Sequence, residues 1–80
     1  MLTAKEALGI LEGNGSLDIS VEMSDIERKI KGAIKDEQYE VLIDFEEMTT
    51  VRRRKVLLTL GELGYRKYPT SGYRWTIGWF

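Results

Sequence analysis

Apolar residues recur along this chain with two periods, and the switches between helical and strand spacing divide it into six segments. In residues 2–12, Leu8 and Leu11 form a short helical stripe, and Thr3 followed three residues later by Glu6 has the form of a capping box. Gly13-Asn14-Gly15-Ser16 breaks this helix, and a glycine or asparagine in left-handed angles would end it. Residues 17–35 carry two patterns. Leu17, Ile19 and Val21 alternate with Asp18, Ser20 and Glu22 as a strand would, leaving Ser24 and Glu27 to open a separate helix. Ile19, Met23, Ile26, Ile30 and Ala33, spaced by fours and threes, instead make one stripe along a single long helix, with Ile34 beside it. Five positions in register arise by chance less readily than a three-step alternation. The long helix is therefore favoured, and the strand is kept as its alternative.

Past a polar loop at residues 35–38, Tyr39, Val41, Ile43 and Phe45 alternate with Glu40, Leu42, Asp44 and Glu46, the pattern of a half-buried strand. Thr49 or Thr50 is placed to cap a third helix. On that helix Val56, Leu60 and Leu63 share one face, and Val51 and Leu58 lie roughly opposite. Gly64 stands where a left-handed C-terminal residue belongs, with Tyr65 able to fold back apolar contact. Residues 65–68 then predict a strand, Pro69-Thr70-Ser71-Gly72 a turn, and Tyr73, Trp75, Ile77 and Trp79 one face of a last strand.

The order is α-α-β-α-β-β. A strand–helix–strand crossover is nearly always right-handed, so the first two strands should run parallel, with the last between them and antiparallel to both. The expected class is α+β, in two layers, with the helices on one face of a small mixed sheet of three strands, or four if residues 17–22 are a strand. Trp75, Ile77, Trp79, Val41, Ile43, Leu60 and Ile30 are the expected core. Eighty residues make one domain, here a helix and linker over residues 1–15 followed by an α/β body over residues 16–80.

Composition narrows the chemistry. The absence of Cys removes disulfides and thiolate nucleophiles, and the absence of His removes the commonest general base and zinc ligand. No catalytic motif, metal-binding spacing or cofactor motif stands in their place, so the expectation is a protein that is not an enzyme and carries no cofactor. No apolar run is long enough for a membrane span, and the N-terminus lacks the form of a signal peptide, which points to the cytoplasm. The formal charge is −1, but residues 1–51 hold five basic and twelve acidic side chains while residues 52–80 hold seven basic ones against Glu62 alone. The two parts thus carry −7 and +6.

That polarity singles out Arg52, Arg53, Arg54 and Lys55. At the start of a helix the backbone dipole favours anions, so cations placed there form a phosphate or acidic-partner site unless Asp44, Glu46 and Glu47 neutralise them locally. Arg66, Lys67 and Arg74, interleaved with Tyr65, Tyr68, Tyr73, Trp75 and Trp79, have the composition of a platform for single-stranded nucleic acid. Trp75, Ile77 and Trp79 on one face read more simply as core, with one or two of the tyrosines left exposed and Tyr68 counted with the cations as a candidate contact. The third helix and hairpin follow the order of a winged-helix DNA reader, but no room remains before Thr49 for its preceding helix. Val51 and Leu58, unsupported by the sheet, and the seam that begins with Ile19 and Met23 suggest a homo-oligomer, most simply a dimer.

Two resemblances bear on function. With a strand at residues 17–22 the order becomes β-α-β-α-β-β after the first helix, which resembles the C-terminal domain of translation initiation factor three. The pieces Thr3-Ala4-Lys5-Glu6-Ala7, then Ile26, Ile30, Ala33 and Ile34, then Leu60 to Tyr65, then Ile77-Gly78-Trp79 resemble small accessory proteins of tailed bacteriophages. That resemblance implies a non-catalytic protein, in the host cytoplasm or the virion, that binds a host or virion protein. Binding of nucleic acid or a phosphate ligand through Arg52–Lys55 and the aromatic hairpin is the alternative.

Overall fold

In the computed structural model, residues 1–11 and 17–80 are described, and they form the six elements in the expected order. These are α1 (Ala4–Leu11), α2 (Ser20–Lys35), β1 (Glu40–Asp44), α3 (Thr50–Glu62), β2 (Arg66–Pro69) and β3 (Arg74–Gly78). The expected helix stop at residues 13–16 lies outside the described residues. The class is α+β.

β3 lies between β1 and β2 and is antiparallel to both, so the two outer strands run the same way without pairing to each other. Every ladder in the sheet is therefore antiparallel. Residues 17–19 form no strand, so among the described residues there is no fourth strand, and the order shared with the initiation-factor domain is not made. The long stripe wins because Ile26 and Ile30 are buried on the sheet, whereas Val21, which the alternation would bury, is exposed. Ile19 sits at the N-cap of α2, where Asp18 Oδ1 accepts from the Ser20 amide at 2.9 Å. Ser24 lies within this helix and opens no new one.

Helix ends follow local chemistry. Thr3 caps α1 with Glu6 as its partner, the Glu6 amide donating to Thr3 Oγ1 at 3.1 Å and the Thr3 hydroxyl to Glu6 Oε1 at 3.1 Å. Thr49 caps α3 by accepting from the Arg52 amide. At its other end Gly64 takes φ +93°, and the Tyr65 amide bonds back to the Leu60 carbonyl at 3.0 Å. α2 ends by the same motif without a glycine. Glu37 holds φ 60° while the Gln38 amide reaches the Ala33 carbonyl at 2.9 Å.

The core lies between the sheet and the two long helices. It holds Ile19, Ile26, Ile30, Ile43, Phe45, Val56, Leu60 and Ile77. Val41, Trp75 and Trp79, expected at its centre, are half-buried and pack against it from the rim, while Ile77 of β3, between the two tryptophans, is fully buried under the helices. Leu63, expected beside Leu60, is exposed at the C-cap of α3. The core covers one face of the sheet and leaves the other open.

Candidate functional site: the open face of the sheet

Strand alternation decides what the open face presents. The registers Val41 opposite Ile77 and Ile43 opposite Trp75 turn those side chains toward the helices. Their neighbours therefore point away, so that Leu42, Thr76 and Tyr68 form one row across three strands. Glu40, Gly78 and Arg66 form the next row, and Asp44 stands opposite Arg74. Leu42 is 52% exposed, Tyr68 42% and Phe80 55%, so large apolar side chains stand in water on this face.

Two aromatic rings and a guanidinium organise its centre. Phe80 stacks on Tyr68 with centroids 6.4 Å apart and planes inclined by 13°. The Arg66 guanidinium carbon lies 5.3 Å from the centre of the Phe80 ring. Gly78 makes this possible, since a Cβ there would come within 2.6 Å of the Phe80 ring. At the far end Arg74 Nε lies 3.9 Å from Asp44 Oδ2. Two cations and two carboxylates thus share the face.

The basic residues singled out in the sequence are not gathered into one site. Of the hairpin cations, Arg66 and Arg74 reach the open face. Lys67 points to the helical side, its ammonium near Gly61 in the last turn of α3, where a cation meets the negative end of the helix dipole. Arg52 is bound internally, Nη1 lying 2.6 Å from Glu22 Oε2 and 3.0 Å from the Asp18 carbonyl. Its carboxylate partner is thus on α2, not among Glu46, Glu47 and Asp44. Arg53 sits over the Tyr73 ring at 5.7 Å, and Arg54 is exposed. Helical spacing points these side chains and Lys55 in different directions.

The hydrogen bond from Arg52 holds the Glu22 carboxyl below its ordinary value, and those from Ser20 do the same for Asp18. Lys29, and then Arg28, likewise lower Asp25. These are structural hydrogen bonds and ion pairs. Among the described residues no cluster of acidic side chains is arranged to hold a metal ion, and no helix is long and apolar enough to cross a membrane.

Of the proposed oligomer residues, Ile19 is buried in the chain's own core and cannot meet a second copy. Val51 is half-buried, Leu58 is exposed on the outer side of α3, and Met23 lines a groove between the helices. Leu42, Gly78 and Phe80, which the structure places on this face, were not among the candidate residues read from the sequence. Leu42 was nonetheless visible as an apolar residue in the polar phase of its strand, and Phe80 continues the phase of Thr76 and Gly78. Compared with known proteins, the chain matches no family model, no curated protein and no solved structure.

Proposed function

We propose that the protein is a non-catalytic binding module that docks a protein partner on the open face of its sheet. The observation that carries this is the row Leu42–Thr76–Tyr68 with Phe80 stacked beside it, an exposed apolar centre flanked by Arg66, Arg74, Glu40 and Asp44. An apolar centre with a charged rim is the make-up of a protein–protein contact, in which aromatic side chains and arginine supply most of the energy. The balance of charge on the face favours a partner of mixed surface over a polyanion. The resemblance to small phage proteins suggests a host or virion protein as that partner, met in the host cytoplasm or in the virion.

Nucleic acid is the second reading, favoured by the stack of Tyr68 and Phe80 with Arg66 alongside, on which an unpaired base could be laid. One comparison separates the two. The full chain and a Tyr68→Glu variant are used to capture partners from bacterial lysate, and both are titrated with single- and double-stranded DNA and RNA at rising salt. A protein retained by the wild type and lost by the variant supports the proposal. Micromolar binding of nucleic acid that weakens steeply with salt replaces it with the second reading.

A further inference from the structure

The helical layer has an unfilled place of its own. α2 packs chiefly on β1 and α3 on β2, which leaves a groove between the helices. Its volume is about 370 Å³, with Met23, Ile26, Ile30, Leu60, Leu63 and Tyr65 supplying the apolar lining and Glu27 standing at the rim. Leu63, 64% exposed, is unexplained by the fold of one chain.

α1 has the opposite problem. Ala4, Ala7, Leu8 and Ile10 fall on one half of the helix, with Lys5, Glu6 and Gly9 on the other. Leu8 is 38% exposed and Ile10 63%, and neither belongs to the core. Eight residues are too few to hold a helix in water without packing, since isolated helices shorter than about 12–15 residues are marginal. The molecule measures 52 × 24 × 22 Å, and its radius of gyration of 14.1 Å exceeds the roughly 12 Å of a compact chain of this length. α1 is displayed rather than folded back, and each chain thus carries one uncovered helix and one uncovered groove.

We propose that two copies of the protein exchange their N-terminal helices, α1 of each lying in the α2–α3 groove of the other. Leu8 and Ile10 stand toward the two edges of the apolar side of α1, from which they project into the lining. Lys5, beside Leu8 on the helix, comes to the rim at Glu27, whose ion pair with Lys31 is a long 3.9 Å. The exchange is reciprocal, so a two-fold pair fills both grooves and leaves no further site open. It uses the opposite side of the molecule from the open sheet face and leaves that face free.

Light scattering and equilibrium sedimentation of the full chain at micromolar concentration test this, with twice the 9.2 kDa chain mass expected. The double substitution Leu8→Glu with Ile10→Glu should return the mass to 9.2 kDa while the circular dichroism and melting of the body persist, since neither residue is in the core. Tyr68→Glu should leave the pair intact, so loss of partner binding and loss of pairing are read separately. Because the chain has no cysteine, Ala7→Cys and Leu63→Cys in separate preparations should cross-link on mixing and oxidation. A monomer at all concentrations overturns the proposal. So does a disulfide that forms within one chain when both cysteines are present, or a dimer that resists the Leu8 and Ile10 changes but yields to Tyr68→Glu.

Discussion

Arg52, in the first turn of α3, donates to Glu22 in the first turns of α2, and the pair ties together two helices that otherwise meet mainly through the sheet. The same guanidinium holds the Asp18 carbonyl, fixing the chain where it enters α2. A cation at a helix N-terminus opposes the dipole, and here the opposing charge comes from the neighbouring helix. The pairing accounts for an arginine in a position that would otherwise invite an anion.

Acid should weaken the fold through this contact. Glu22 has an ordinary value of 4.5 and is held lower in the fold, so its contribution is full above 4.5 and is lost as pH falls through the lowered value. Asp18, lowered from 3.8, acts in the same direction further down. Urea unfolding at pH 7, 5, 4 and 3 should show stability falling below about pH 4.5. Glu22→Gln should cost about 1 kcal/mol at pH 7 and flatten that acid limb. An unchanged limb in the variant would assign the acid sensitivity elsewhere.

Gly78→Ala should alter binding more than stability. The added methyl meets only the Phe80 ring, which is exposed and can swing away. A loss of less than about 1 kcal/mol is expected, with the Tyr68–Phe80 stack broken and partner affinity reduced. Near-ultraviolet dichroism reads the stack, and titration with the captured partner reads the affinity.

Glu37 offers a stabilising change. A non-glycine residue at φ 60° is strained, and the end of α2 requires that angle. Glu37→Gly should raise stability by about 0.5–1 kcal/mol, seen as a higher denaturation midpoint with an unchanged slope.

The two kinds of aromatic residue should separate in the core. Phe45 is fully buried, and Phe45→Ala should cost about 3–5 kcal/mol, enough to unfold much of so small a domain. Trp79 is half-buried at the rim, and Trp79→Ala should cost clearly less, leaving a cooperative transition. Equal losses would mean that Trp79 carries more of the core than its exposure indicates.

Much of the fold can be read from local pattern, since capping and periodicity are properties of neighbouring residues. Thr3 with Glu6, Thr49, and Gly64 with Tyr65 mark helix ends through bonds to groups at most five positions away. The five-residue stripe beginning at Ile19 marks α2, and alternation marks β1 and β3. The place of β3 between the other strands follows from crossover handedness and its apolar content. The site was less visible. Tyr68, Arg66 and Arg74 stand out in the sequence no more than Lys67 and the run from Arg52 to Lys55, because sequence shows a charge without its direction.

What the sequence by itself determined is therefore the elements, their order, the α+β class and the face that β1 and β3 turn inward. These depend on periods of 3.6 and 2 and on caps that act within a few residues. Only the tertiary structure decided that Glu22 takes Arg52, that Lys67 leaves its neighbours for α3, and that Phe80 lies on Tyr68 over Gly78. It also decided that the tryptophans sit at the rim while Phe45 fills the centre. Each of these outcomes joins residues far apart in the chain or on different strands. Their distances are set by how two helices and three strands pack, and no local pattern carries that information.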